Sequence, residues 1–375
     1  MWIKKLKTSN FRNLQQVDLT LPGPGVYVLY GHNGAGKTNI LEVISLLSPG
    51  QGLHRDKLEN MLPDLHEADK ATQWGFYGEV QKEDQGHTVI HTVGMGYDKK
   101  KRIIKVDGEE TAGQAELANL GAVLWFTPEM DRLFFGSPSG RRRFYDRLVF
   151  GLHPQHAAML SRYTKHLQSR MQLLKDPQAD PDWVALEEQQ AAKYGEAVVK
   201  ARLAYLDELK PYLDGVELTL NGNAERTYLE ALETEANPAQ AFATEYAERR
   251  PRDARQKSNS FGPQRTDLGG TLTLEDGMPV PLERTSMGQH KKALIKLLIG
   301  AARLQHEKTG HPPCILLDEI ATHLDEEARG LLYEKLLPLG GQLWLTGTEK
   351  SQFTGLEGAH FIKIKGGIAT PEFNL

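Results

Sequence analysis

The chain has 375 residues, 45 Lys+Arg against 49 Asp+Glu for a formal net charge of −4, 39% hydrophobic and 25% charged residues, and one cysteine. That length exceeds one ordinary hydrophobic core, and the composition fits a soluble globular protein, neither disordered nor membrane-embedded. The slight negative charge gives no global pull on nucleic acid, so any DNA contact must come from local basic patches, and a lone Cys314 rules out an internal disulfide.

The start, MWIKKLKTSNF, carries charge without an apolar segment and a cleavage site, so export is not expected and the cytoplasm is. The most apolar run, ALIKLLIGAA, contains Lys296 and falls short of the roughly 20 residues a bilayer span needs. Short β-like runs come first, IKKLKTSNF, VDLTL and VYVLY, divided by FRN and by the turn LPGPG. Immediately after VYVLY stands GHNGAGKT, residues 31–38, which meets the spacing G-x-x-x-x-G-K-[ST] through Gly31, Gly36, Lys37 and Thr38. Ile40, Leu41, Ile44 and Leu47 then recur at helical steps until SPGQG. Strands return in GFYGEV, HTVIHTV and RIIKV, the last running into an Asp107-Gly108 turn.

From about Pro128 to Arg255 the texture is helical. Asp180-Pro181 suits a helix start, and Trp183, Leu186, Tyr194, Val198, Ala201, Tyr205 and Leu209 predict the packed face of that helix. The heptads do not persist, so no long coiled coil is predicted. Strand signals resume in TLTLEDGMPV, then a long amphipathic helix over 287–308, the apolar strand CILLL, the strand QLWLT and two short final strands. The predicted fold is α/β: a head of residues 1–127 and 256–375, with residues 128–255 inserted as a mostly helical arm.

A triphosphate concentrates negative charge, and a glycine loop lets backbone N–H groups approach it. Gly31, His32, Asn33, Gly34, Ala35, Gly36, Lys37, Thr38 and Asn39 are the expected ATP contacts, Lys37 on the β- and γ-phosphates and the Thr38 hydroxyl on Mg²⁺. The run ILLLDE ends an apolar strand in Asp318, suited to Mg²⁺, and Glu319, suited to polarise the attacking water. In TSMGQHKKALIKLL, residues 285–298, Ser286, Gly288 and Gln289 open a helix, as a plain cap or as a second phosphate-contacting element. Arg12 either approaches the nucleotide from the FRN turn or packs that turn. Three basic stretches are candidate DNA contacts or solvated faces: Lys99, Lys100, Lys101 and Arg102; Arg141, Arg142 and Arg143; and Arg249 through Lys257. Arginine forks suit carboxylates as well as phosphates, so Arg141–Arg143 and Arg265 fit a salt-bridged junction as well as a DNA contact. His323 and the other histidines lack metal-ligand spacing, so zinc is not expected.

Taken together, NFRNL at 10–14, GHNGAGKTNILE at 31–42, TPEMDRLFFGSPSGRRRFYDRLV at 127–149, FGPQRTDL at 261–268, SMGQHKK at 286–292, LLLDEIATHLD at 315–325 and LTGTE at 345–349 resemble the RecF family, a branch of the SMC-like ABC ATPases. The resemblance spans nearly the whole chain in the family's order, with residues 150–250 the weakest part. It implies a P-loop ABC-type ATPase head that binds ATP with Mg²⁺ and dimerises around it, Ser286 completing the neighbour's nucleotide site. It further implies binding to double-stranded and gapped DNA, placement of RecA on single strands with RecO and RecR, and release by slow hydrolysis. Asp325 would belong to the loop after the magnesium site. Glu129 stands near the place of a glutamine in ABC ATPases, and Thr346 and Thr348 stand where transporter ATPases carry a switch histidine. A transporter's nucleotide-binding subunit is the alternative, but the long helical insert between Lys37 and Asp318 exceeds its needs. An SMC-like structural ATPase would want longer heptads, and a small-molecule kinase has no use for residues 285–292.

Overall fold

A strand buried on both faces must be apolar along its length, whereas one that covers a core on one face alternates. Both kinds occur in the protein's computed structural model, which describes all residues except 16, 64–70, 85–86, 99–100, 112, 320–323, 325 and 374–375. Contacts divide the chain into two compact units, Met1–Asp131 with Leu294–Leu375, and Arg132–Ala293.

In the first unit, β1 (Trp2–Ser9) buries Ile3 and Leu6 and turns back at Phe11–Leu14 into β2 (Val17–Thr20). The buried β3 (Gly25–Tyr30) runs through the glycine loop into α1 (Lys37–Ser45). β4 (Gln73–Asp84), β5 (His87–Asp98), β6 (Lys101–Val106) and β7 (Glu109–Glu110) form an antiparallel meander. Its last hairpin turns at Asp107 and Gly108, whose φ of 53° and 87° are those of the expected tight turn. β8 (Val123–Phe126), VLWF, is wholly buried.

The second unit contains α2 (Pro138–Leu152), α3 (Gln155–Leu174), α4 (Pro181–Leu209), β9 (Val216–Asn221), α5 (Asn223–Glu233), α6 (Pro238–Gln256), β10 (Asp267–Thr273) and β11 (Pro279–Pro281). α7 (Met287–Thr309) begins in this unit and ends in the first. The first unit then closes with β12 (Cys314–Leu317), α8 (Glu326–Leu336), β13 (Gln342–Gly347), β14 (His360–Lys365) and β15 (Ile368–Pro371).

Two six-stranded sheets build the first unit, in the orders β2-β1-β4-β5-β6-β7 and β15-β14-β3-β13-β12-β8. The second is parallel from β14 to β8, with β15 antiparallel at its edge. Strands from both chain ends interleave there, β13 lying between β3 and β12. The glycine loop leaves the carboxyl end of β3 and Asp318 leaves that of β12, the edge of an open parallel sheet where ligands bind.

Three sequence expectations differ from the structure. GVELTL, inside the stretch read as helical, is β9, because its apolar residues alternate at period two and pair with β10 from Leu272↔Val216 to Asp267↔Asn221. That pairing joins β10 to the second unit, whose contacts run to Ala293, whereas the sequence reading set the arm's end at 255. Trp183 and Leu186, expected on the packed face of α4, are 60% and 44% exposed. Val198, Tyr205 and Leu209 are buried as expected, but the face also takes in Val184, Glu188, Ala191, Ala192, Gly195, Val199 and Arg202, of which apolar periodicity misses Glu188 and Arg202 because they are charged.

Candidate nucleotide site

Two glycines of the loop have neighbours that leave no room for a side chain. A Cβ on Gly31, at φ 153°, would lie 2.1 Å from the Ile364 carbonyl oxygen, and one on Gly36, at φ 109°, 2.8 Å from Leu14 Cδ2. Gly36 is also the N-cap of α1, with no side-chain cap and no acidic residue in the first turn. The helix therefore presents N–H groups and the positive end of its dipole to the loop, a cradle for an anion. Lys37 is 5% exposed, and its Nζ donates to the carbonyl oxygens of Gly31 and His32 at 2.8 and 3.0 Å. Burial pushes its pKa down, with Glu319 and Asp318 pulling it back up. A desolvated ammonium held over a glycine loop fits the phosphates of ATP.

The carboxylates complete the cluster. Asp318 is 6% exposed, and Thr38 Oγ1 lies 3.0 and 3.1 Å from its two oxygens. The Asp318 N–H bonds the Phe126 carbonyl at 3.0 Å, so β8 sets its height. A threonine hydroxyl beside a buried carboxylate is the hard oxygen set that suits Mg²⁺. Among the described residues there is no cluster of three or more His, Cys, Asp or Glu able to hold a metal. Burial raises the Asp318 pKa despite hydrogen bonds from Thr346 and Thr38, and the neighbouring Glu319 raises it further. A raised carboxyl favours the fold at low pH and loses that contribution as pH climbs through the raised value. Asp318→Asn is therefore expected to raise the melting temperature of the metal-free protein at neutral pH, with the gap closing in acid. Calorimetry at two pH values checks this.

Glu319 follows at φ 50°, a left-handed conformation unusual for glutamate. Its N–H is held by the Thr346 hydroxyl at 2.7 Å, and that hydroxyl donates to Asp318 Oδ1 at 2.8 Å. The structure thus brings Lys37, Thr38, Asp318 and Glu319 to one edge of one sheet. Asp325 and His323 lie outside the described residues.

The FRN turn does more than sequence reasoning found. Asn13, which that reasoning did not single out, donates through Nδ2 to the Gly34 carbonyl at 2.7 Å and accepts from Asn39 Nδ2 at 2.7 Å. The Gly367 N–H also bonds the Ala35 carbonyl at 3.1 Å, so the loop is braced from two directions. His32, Asn33 and Gly34 are otherwise solvent-facing, whereas Ala35 and Gly36 are buried. Arg12 takes the packing role: its guanidinium forks onto the fully buried Glu42 of α1, reaches Asp56 at 2.5 Å and bonds the Asn60 carbonyl at 3.4 Å. Those bonds use four of its five N–H donors, so most of the guanidinium is engaged by Glu42, Asp56 and the Asn60 carbonyl.

Ser286, Gly288 and Gln289 belong to the second unit. Ser286 and Gln289 form a reciprocal cap, the Gln289 N–H on Ser286 Oγ at 3.3 Å and the Ser286 N–H on Gln289 Oε1 at 2.9 Å. Ser286, Met287 and Gly288 are exposed, so a capped helix end faces solvent.

The basic stretches are mostly committed elsewhere. Arg141 forks onto Asp267 at 2.7 and 2.8 Å and bonds the carbonyls of Phe134 and Gly136 at 3.1 and 2.7 Å. Arg142 bonds the Thr266 carbonyl at 2.6 Å, whereas Arg143 is exposed. Arg141 thus takes up the salt-bridged alternative through Asp267, while Arg142 commits one donor to a carbonyl inside the same unit. Arg141 and Arg142 are tied in this way to Asp267 and Thr266, and the exposed Arg265 bonds the Asn259 carbonyl through Nε at 2.9 Å. Lys101 pairs with Glu110 at 2.8 Å and Arg102 bonds the Gly50 carbonyl at 3.3 Å; Lys99 and Lys100 lie outside the described residues. Arg249 pairs with Glu245 at 2.5 Å and Arg250 with Glu188 at 2.6 Å.

Among the described residues no helix is long and apolar enough to cross a membrane. The family model described as the RecF/RecN/SMC N terminal domain matches residues 2–363. Similar curated proteins include the DNA replication and repair protein RecF of Rhizobium rhizogenes (strain K84 / ATCC BAA-868), 38% identical over 98% of each chain. That of Brucella suis biovar 1 (strain 1330) is 35% identical over 98% of this chain and 96% of its own. Among solved structures, the recombination mediator protein RecF-ATPrS in the RecFOR pathway matches with TM-score 0.80 and 25% identity over 99% of this chain and 98% of its own. An Smc head domain from Pyrococcus furiosus, bound to the C-terminal domain of ScpA, shares the fold alone, at TM-score 0.51 and 12% identity over 99% of this chain and 95% of its own.

Proposed function

The chain belongs to the RecF family, and from that premise we propose that it is an ATP-dependent DNA-binding protein of recombinational repair. Two copies close over ATP, the closed dimer grips double-stranded or gapped DNA, and slow hydrolysis releases it. The observation that carries this reading is the assembly of Lys37, Thr38, Asp318 and Glu319 at the carboxyl edge of one parallel sheet. Lys37 and the N–H groups of the loop bind the β- and γ-phosphates. Thr38 and Asp318 hold Mg²⁺, which when bound neutralises charge on the transferring phosphoryl group. Glu319 orients the attacking water and accepts its proton. The exposed Ser286 end contributes its hydroxyl and helix dipole to the nucleotide of the second copy. RecR and RecO are the proposed partners, with RecA placed on the single strand as the outcome; the protein acts in the cytoplasm without a membrane subunit. Weak, DNA-stimulated ATPase activity follows from this cycle.

Sedimentation with a non-hydrolysable ATP analogue tests the reading. A shift from monomer to dimer is expected, together with salt-sensitive retention of gapped DNA that needs the nucleotide, because neutralised phosphates release counterions. Ser286→Arg is expected to keep nucleotide binding by the single subunit and abolish both the shift and the retention. Equal DNA retention with and without nucleotide would overturn the proposal.

A further inference from the structure

We propose that Thr346 is a positioning residue that sets both carboxylates of the nucleotide site through one hydroxyl, an inference that rests on the ATPase reading above. Two threonines stand in residues 345–349, and the structure separates them. Thr348 is exposed, and its N–H and hydroxyl both bond Gln352 Oε1, at 2.8 and 3.2 Å, so it only closes its own turn. Thr346 is 0% exposed near the end of β13, paired in register with Leu29 of β3, the strand that leads into the glycine loop.

The Thr346 hydroxyl donates its single proton to Asp318 Oδ1 at 2.8 Å and accepts the Glu319 N–H at 2.7 Å. One proton and two lone pairs allow both bonds at once. The donated bond fixes the rotation of the Asp318 carboxylate, whose oxygens also face Thr38. The accepted bond restrains the backbone of Glu319 at φ 50°, a conformation that persists only where surroundings enforce it. Because β13 lies between β3 and β12, a hydroxyl on it reaches the ion-holding and water-orienting groups from a strand fixed on both edges. Valine at this position would keep the shape and delete both bonds.

Three measurements on the full chain test the assignment: Mn²⁺ affinity with a non-hydrolysable ATP analogue by electron paramagnetic resonance, nucleotide affinity without metal, and ATP turnover. Thr346→Val is expected to weaken Mn²⁺ binding and slow turnover by about tenfold or more each, as loss of a ligand-orienting group does. Metal-free nucleotide affinity should hold, and Thr346→Ser should restore the first two. A valine variant with normal Mn²⁺ affinity and turnover overturns the inference. So does one that loses metal-free nucleotide binding and is not rescued by serine, which would mark a packing role. A wild-type chain that neither binds Mn²⁺ with the analogue nor hydrolyses ATP brings down the ATPase reading and this inference with it.

Discussion

Glu319→Gln is expected to bind ATP and dimerise like the unaltered protein while hydrolysing ATP at least about a hundredfold more slowly, the usual scale for losing a general base. The substitution is nearly isosteric and leaves the backbone bond from the Glu319 N–H to Thr346 in place, so the left-handed turn at φ 50° should persist. What it removes is the negative oxygen that polarises water. It also removes a negative charge beside Asp318, which relieves part of the repulsion that raises that carboxyl. Metal and nucleotide binding should therefore hold or tighten while turnover falls, and this split separates a base from a structural carboxylate. Single-turnover hydrolysis beside analogue-driven sedimentation measures it. Turnover at the original rate would remove Glu319 from the mechanism, and loss of the dimer would show that the side chain supports binding instead.

The loop from Gly31 to Thr38 was legible because its spacing is dictated by phosphate geometry and its flanks are local, a strand before and a helix after. Asp318 and Glu319 were legible because an apolar strand ends in two acids. Asn13 was not, since its value lies in a contact with Gly34 that no local pattern encodes, and the neighbouring Arg12 drew attention by charge. Its signal was the short polar step in FRN beside a strand that must turn near the loop. Arg141 illustrates a different limit. Its type and position resemble a phosphate contact and a salt bridge equally, and only the partner, Asp267, more than a hundred residues later in the chain, separates them. The face of α4 was legible in part: Val198, Tyr205 and Leu209 are buried as their spacing implies, whereas Glu188 and Arg202 look solvated in a hydropathy pattern yet are 2% exposed, each meeting an opposite charge inside the second unit.

Arg202 supplies the largest stability prediction. Its guanidinium forks onto Asp146 at 2.8 and 2.9 Å and bonds the Pro263 carbonyl at 2.7 Å and Thr266 Oγ1 at 3.2 Å. Asp146 also faces His156 Nε2 at 2.8 Å. Burial alone would raise the Asp146 carboxyl, but Arg202 and His156 hold it well below the usual range. Arg202→Ala leaves that carboxylate buried without its cation, a loss of roughly 3–5 kcal/mol. A depressed carboxyl contributes stability above its ordinary pKa and loses it as pH falls toward the depressed value. The gap between the two proteins should accordingly be full at neutral pH and shrink in acid. Far-UV circular dichroism in urea reads it, since five helices, α2 to α6, lie in the unit that contains the pair. Arg202→Met with Asp146→Asn should recover part of the loss, because an absent pair costs less than a broken one. A single variant within about 1 kcal/mol of the original at neutral pH, the scale of an exposed ion pair, would mean that Asp146 finds water or another donor when Arg202 is gone.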